Sequence, residues 1–468
     1  MQGKPRQRRK NRGSLRLPKQ LKHVNLNAAG IDVGSETHFV AVPEGRDPQP
    51  VRQFSSFTAD LHRIAQWLRE CGIDTIAMES TGIYWIPLYE ILESYGFEVK
   101  LVNARHVKNV PGRKTDVLDC QWLQQLHTYG LLAGAFRPTP DIAEIRAYLR
   151  QRENLIRYAA SHIQHMQKSL ALMNLQLHNV ISDVTGVTGM KILRAIVAGE
   201  RDPQVLAQHR DHRCKADTDT IARSLEGHYR EEHLFALGQA VELFDTYQQK
   251  IADCDRMIEA TLNKVNAASK TDPSAIPKPR RTARPRDNQP AFDVRSHLYR
   301  LTGVDVTQID GISAYTALRV ISETGPDMTP WRSEKHFTSW MGLSPGNKIS
   351  GGKVLNSATK KISNRAATAL RLAALSLSHS QSALGAFFRR LRSRLGAPKA
   401  ITAVARKLAC LIYTMLKNRT NYVDPGADQY EQKYRDRFLR NLKRKAEFFG
   451  YSLIPTPTSF VPSDGSVS

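Results

Sequence analysis

Residues 28–42 read Ala-Ala-Gly-Ile-Asp-Val-Gly-Ser-Glu-Thr-His-Phe-Val-Ala-Val, and the rest of the N-terminal third is understood from this stretch. Two β-type runs, Ala28 to Val33 and His38 to Val42, flank a short turn, and a third run, Val51 to Phe54, follows. Three strands in succession predict an antiparallel meander. The pattern then changes. Leu61, Ile64, Trp67 and Leu68 recur at helical spacing between Ala59 and Cys71, and from there strand and helix alternate. Thr75 to Met78 and Val99 to Val102 read as strands, Tyr84 to Tyr95 and Val117 to Thr128 as helices.

Meander first and strand–helix alternation afterwards is the order of a ribonuclease H-like domain. In that arrangement a first-strand aspartate points into a cleft, and Asp32 holds that position. Glu79 ends the strand expected beside the first. Asp116 and Asp119 are three apart at a helix start and so share one face. Four carboxylates from three elements suit two hard divalent cations, magnesium by default with manganese as a substitute, that activate a phosphodiester. Capping and the helix dipole favour an Asp-x-x-Asp at a helix start in any case. The combination with Asp32 and Glu79 tips the reading toward metal. Asp32-Val-Gly-Ser35 also suits the phosphate loop of actin-like sugar kinases, but no second phosphate loop or adenosine pocket follows, so ATP is not expected.

Composition points to a polyanionic partner. The 468 residues carry a formal charge of +24, spread along most of the chain and beyond what solubility requires. No run of eighteen apolar residues and no signal-peptide core is present, so a cytoplasmic protein, nucleoid-associated when active and without a membrane, is expected. The five cysteines are scattered without a Cys-x-x-Cys pair and read as reduced and structural. His162 and His165, like His209 and His212, lie three apart but lack a third ligand nearby, which favours surface or RNA contact over a metal.

The expected organisation is multidomain, α/β followed by all-α. A basic disordered arm spans 1–25, the ribonuclease H-like (RuvC-like) catalytic domain 26–140, and a helical or coiled-coil region 141–267. Within that region, Ile145, Leu149, Leu155, Ile156, Ile163, Met166, Leu170 and Met173 mark one long helix between Asp141 and Val180, and Leu234, Leu237, Val241, Leu243, Phe244, Ile251, Met257, Ile258 and Leu262 a second between Tyr229 and Val265. The two helices can pair within one chain or between chains. A basic Pro/Arg linker covers 268–296, a helical domain 297–420, a basic helix 421–453 and a disordered tail 454–468. Asp310-Gly-Ile-Ser313 resembles the turn of a helix-hairpin-helix, which offers backbone N–H groups to phosphate. Lys348-Ile-Ser-Gly-Gly-Lys353 reads as a glycine-flanked loop with a serine at its centre.

Taken together, Gly30-Ile-Asp-Val-Gly34, Met78-Glu-Ser-Thr-Gly-Ile-Tyr-Trp85, Lys114-Thr-Asp-Val-Leu-Asp119, Gly342-Leu-Ser-Pro345 and Ser350-Gly-Gly-Lys353 resemble the DEDD transposases of the insertion-sequence "one-ten" family, also called bridge-RNA-guided serine recombinases. The resemblance covers most of residues 26–380. It implies a RuvC-like domain binding magnesium through Asp32, Glu79, Asp116 and Asp119, and a C-terminal transposase domain in which Ser350 attacks donor and target DNA. A covalent phosphoserine would then conserve bond energy for rejoining. It further implies a structured bridge RNA that selects sequence by pairing, and a homo-oligomer, dimer to tetramer, in which one protomer's RuvC-like domain completes the site around another's Ser350. Lys348, Lys353, Lys360, Lys361 and Arg365 are the expected phosphate holders. One departure is Lys361-Ile-Ser-Asn-Arg365, where members of the family often have Ser-Lys-x-Gly-Asn.

Two other readings compete. One is a RuvC-like metal-dependent Holliday-junction nuclease in which water attacks and Ser350 is a turn residue. The other is a non-catalytic nucleic-acid-binding protein whose acids merely cap and pair.

Overall fold

The computed structural model describes residues 25–79, 82–102, 116–267, 269, 271–279, 288–360 and 362–454. The arm expected over 1–25 lies outside them except for its last residue, as do Lys361, the arginine-rich stretch 280–287 of the linker, and the tail from 455. The chain forms two compact units, Met1–Arg137 and Pro138–Ser468.

The first unit is built on a five-stranded mixed sheet of β1 (Ala28–Val33), β2 (Thr37–Ala41), β3 (Val51–Ser55), β4 (Thr75–Glu79) and β5 (Glu98–Val102) in the order β3-β2-β1-β4-β5. β1, β2 and β3 form the antiparallel meander, with Ile31 opposite Val40. β4 and β5 run parallel to β1, with Ile31 opposite Met78. This topology is compatible with a ribonuclease H-like domain. Alternation along β1 separates two environments. Ala29, Ile31 and Val33 pack with Val40, Ile76 and Met78 beneath α1 (Thr58–Glu70) and α2 (Trp85–Ser94). Within that layer Leu61, Ile64 and Leu68 are almost wholly buried, each side chain contributing about 1.5–3 kcal/mol of apolar burial.

Gly30 and Asp32 occupy the other face of β1, covered by α3 (Asp116–Thr128). The helix rests directly on the strand. A Cβ added at Gly30 would lie 2.3 Å from both the Cys120 carbonyl oxygen and the Gln124 backbone nitrogen. Glycine is therefore required by proximity. Lower down, Leu123 packs with Ala77 and Val102, and His127 Nε2 lies 2.9 Å from Thr75 Oγ1. Burial, helped by the Lys100 charge, pushes the His127 imidazole down to about 4, so it packs as a neutral ring. Gly30→Ala should destabilise this unit by about 1–3 kcal/mol through overpacking and tilt the first turn of α3 off the sheet. Thermal unfolding reads the effect, and an unchanged melting temperature would contradict the seating described.

In the second unit two long helices, α4 (Pro140–Leu172) and α9 (Glu231–Asn266), run antiparallel. Contacts pair Asp141 with Lys264, Glu144 with Thr261, and Tyr158 with Tyr247. The pairing left open by the sequence is thus made within one chain. Core positions of both helices repeat at alternating four- and three-residue steps, and at one layer the apolar pattern breaks. There Arg152 Nε meets Asp255 Oδ1 at 2.5 Å, with side chains only 1% and 7% exposed. The same pair holds the chain after the linker, since Arg152 donates to the Asn288 carbonyl and the Ala291 amide donates to Asp255. His162 is half-buried and stacks on Tyr247 at 5.4 Å.

Between the long helices, α5 (Leu177–Val180), α6 (Val187–Val197), α7 (Pro203–Ala207) and α8 (Thr218–Ser224) close over the far end of the pair. Their shared core includes Met166, Leu170, Ile192, Ile196, Leu206 and Ile221. Asp202 and Asp217 cap α7 and α8 by accepting from backbone N–H groups. The near end of α4 meets the C-terminal helices, where Arg146 donates to the Ser322 and Glu323 carbonyls and Arg150 pairs with Glu323.

Those helices are α10 (Val294–Thr302), α11 (Ala314–Thr324), α12 (Glu334–Trp340), α13 (Arg365–Ser376), α14 (Ala383–Leu395), α15 (Ala397–Asn418) and α16 (Ala427–Phe448). Trp331, Phe337, Trp340 and Tyr413 interlock, and the Tyr413 hydroxyl donates to the Trp331 carbonyl at 2.8 Å. The Asp310-Gly-Ile-Ser313 turn does connect two helical segments, and Ser313 caps α11. Gly311, at φ 86°, faces inward. A Cβ there would come within 2.9 Å of the Ala373 carbonyl on α13, so its glycine serves helix packing.

Candidate functional site

The acidic site grows from the seating of α3 on β1. Parallel pairing sets Ile31 beside Met78, so Asp32 and Glu79 are next to each other at the strand ends on the α3 face. Glu79 is 8% exposed. The face of α3 that buries Cys120, Leu123 and His127 continues through Asp119 and Asp116 in its first turn. The Asp32 carboxyl is pushed up to about 6, first by burial and then by the negative charges of Glu79, Asp116 and Asp119. Three separate elements thus bring the four predicted acids into one electrostatic neighbourhood. Among the described residues, no three acids, histidines or cysteines close into a ready-made metal-binding group. Cys120 lies under the same cluster, and burial together with the Asp32 charge pushes its thiol up to about 12. It is no nucleophile.

Exposed apolar side chains flank these acids in the sequence. Ile83, Tyr84, Val117 and Leu118 are all exposed. All four fall within the stretches Met78–Trp85 and Lys114–Asp119 quoted above, of which the sequence reading gave a role only to the acids.

Ser350 lies in the second unit. What the sequence suggested was a loop is a β-hairpin of β6 (Lys348–Ser350) and β7 (Lys353–Asn356), with Ser350 opposite Lys353. Gly351 and Gly352 take φ of 55° and 78°, as a two-residue type I′ turn requires, and this turn matches the natural twist of a hairpin. Ser350 is therefore the last strand residue before a tight reversal, fully presented to solvent. Its hydroxyl has no hydrogen-bond partner among the described residues. The hairpin exposes Ile349, Val354 and Leu355 by 62%, 57% and 69%. Its base is fixed by the Pro345–Thr359 bridge, the Gly346 amide bonded to the Ala358 carbonyl, and a 2.8 Å contact between the Thr338 and Ser344 hydroxyls.

Of the expected phosphate holders, Lys353 and Lys360 are exposed beside this hairpin. The Lys348 side chain and Lys361 lie outside the described residues. Arg365 is already engaged, with Nη1 2.8 Å from Glu153, which also pairs with Arg319. Sequence reading missed this partner because Glu153 lies on α4, far away along the chain.

Two family models match the chain. One, DEDD_Tnp_IS110, described as transposase, matches residues 29–174 and so includes all four acids. The other, described as transposase of the IS116/IS110/IS902 family, matches residues 305–389 and includes the Ser350 hairpin. No curated protein matches the chain.

Proposed function

We propose, from the premise that this chain belongs to the IS110 family of transposases, that it recombines DNA by a serine-nucleophile mechanism assisted by divalent metal. The chain is a DNA transposase, the enzyme of an insertion sequence, and its substrate is DNA. No helix among the described residues is long and apolar enough to cross a membrane.

The observation that carries the metal reading is the raised Asp32 carboxyl among three other acids on three elements. Uncompensated negative charge in a partly buried place is what a cation relieves, and an all-carboxylate donor set suits magnesium, with manganese as an alternative. Asp32, Glu79, Asp116 and Asp119 would hold the ions. When bound, such ions supply Lewis-acid polarisation of the scissile phosphate and lower the pKa of a coordinated oxygen. Ser350 would attack the phosphorus through Oγ, losing its proton to solvent. The Ser–O–P bond forms as the P–O3′ bond breaks, and the departing 3′ oxygen takes up a proton. Reversal of the same exchange at a second DNA end rejoins strands without an external energy source. Lys353 and Lys360 would hold flanking phosphates.

The Ser350 hydroxyl has no hydrogen-bond partner among the described residues, and the hairpin exposes apolar side chains, as do residues flanking the acids in sequence. These features support a site assembled from more than one copy, dimer to tetramer. The strongly basic chain supports the further reading that a structured bridge RNA guides the choice of sequence.

Metal binding tests the first half of this mechanism. With Asp32 titrating near 6, magnesium must displace its proton below that pH. Binding should release close to one proton well below pH 6 and almost none well above it, with affinity falling as pH drops below about 6. Calorimetry in buffers of different ionisation heat measures this. Affinity that stays flat across the range, with no proton release, would remove Asp32 from the ligand set.

A further inference from the structure

Among the described residues, helix α16 is held at one end only. Arg390 of α14 pairs with Glu431 and lays its guanidinium over the Tyr434 ring at 3.3 Å, while Phe387 meets Tyr430 edge-on. Beyond Tyr434 the helix has no buried residue. Phe438 is 56% exposed and Phe448 83%. Between them Phe438, Asn441, Arg444, Lys445 and Phe448 line an open, shallow groove along one face of the helix. The two phenylalanines are ten residues apart, about 15 Å along the axis. The groove thus alternates aromatic faces with two cations and an amide.

We propose that this groove binds unpaired bases of single-stranded DNA. Exposed phenyl rings offer stacking to any base, and basic side chains between them meet the linking phosphates, which is the pattern of sequence-tolerant single-strand binding. The Asn441 side-chain oxygen accepts from Arg444 at 2.7 Å, and its amide N–H groups remain as donors for base edges. Charge selects a polyanion: Lys433, Arg437, Arg440 and Arg444 follow one another at four- and three-residue steps, forming a stripe beside the groove. The substrate of a transposase is DNA, and exchanging strands between two duplexes passes through unpaired stretches, so this occupant is already at hand. The site lies beyond both matched segments, 29–174 and 305–389. It stands independently of Ser350 and of a guide RNA.

The test uses the full chain and fluorescence anisotropy with a labelled thymidine oligonucleotide, the matching duplex, and a uridine RNA of equal length. Phe438→Ala with Phe448→Ala should weaken single-strand DNA binding by about five- to a hundredfold for each ring and leave duplex binding unchanged. Arg444→Gln with Lys445→Gln should weaken both and reduce the salt slope on the single strand by about 1.4. All four side chains are on an exposed helix, and circular dichroism confirms that the variants remain folded. Equal losses on single strand and duplex, or no loss, would overturn the groove. Tighter binding of RNA than of DNA through the same phenylalanines would overturn the occupant. So would conversion of an oligomer to a smaller species by the phenylalanine double variant in sedimentation, which would make the groove a contact between copies.

Discussion

Ser350→Ala is expected to abolish the covalent protein–DNA adduct and to lower recombination by on the order of 10³-fold or more, the scale on which loss of a nucleophile acts. The fold should survive, because the side chain is exposed at a hairpin turn and makes no hydrogen bond among the described residues. The turn itself is held by Gly351 and Gly352 in left-handed conformations, which the substitution does not touch. Denaturing gels with end-labelled DNA, alongside melting curves, separate a chemical from a structural effect. If the adduct persists in the alanine variant, the nucleophile is elsewhere. If cleavage persists with no adduct in either protein, water attacks and the enzyme is a metal-dependent nuclease.

Asp32→Asn carries the second large effect, and its two readouts move in opposite directions. Cleavage should fall by on the order of 10³-fold, as expected when a group acting within a catalytic unit is lost. Metal-free stability should rise. The folded-state value of Asp32, about 6, lies above its ordinary 3.8, so the folded protein holds this proton more tightly than the unfolded chain. Ionised Asp32 therefore costs stability, which declines as pH rises from about 4 through 6 and stays lower above. Asparagine removes that cost. In EDTA the variant should melt higher than the parent at pH 8 and equally at pH 4, and magnesium should raise the parent's melting temperature far more than the variant's. A variant less stable than the parent at pH 8 would mean that neither burial nor the neighbouring acids penalise the ionised Asp32 carboxylate.

The β-sheet and α3 were readable in the sequence because alternation and helical spacing are local, and Asp32, Glu79, Asp116 and Asp119 fall at element ends that those patterns define. The Ser350 hairpin was less legible. Lys348-Ile-Ser350 is too short to show alternation, and Gly351-Gly352, which signals a two-residue turn, signals a loop equally well. Periodicity identified the long helices as a possible pair but not whether they pair within one chain or between chains, since an apolar stripe does not say which copy of its partner it meets. The clue lay in the polar exceptions. Arg152 and Asp255 both stand where the repeat calls for an apolar residue, and each makes sense only against the other. Engagement of Arg365 by Glu153, and the covering of Gly311 by α13, join residues too distant in sequence for any local pattern to register.

That mutual dependence turns the long helical pair into a ruler. α9 alone spans about 54 Å, and it carries the small helices α5 to α8 at the end away from the C-terminal bundle. Sliding one helix past the other by a turn would strand a guanidinium and a carboxylate in an apolar layer, at a cost of about 3–5 kcal/mol. Arg152 and Asp255 thereby fix the distance between the helical cap and the Ser350-bearing bundle. A change in the ruler's length must be written into both helices at once, in whole repeats, because an insertion in one alone breaks the match at that layer.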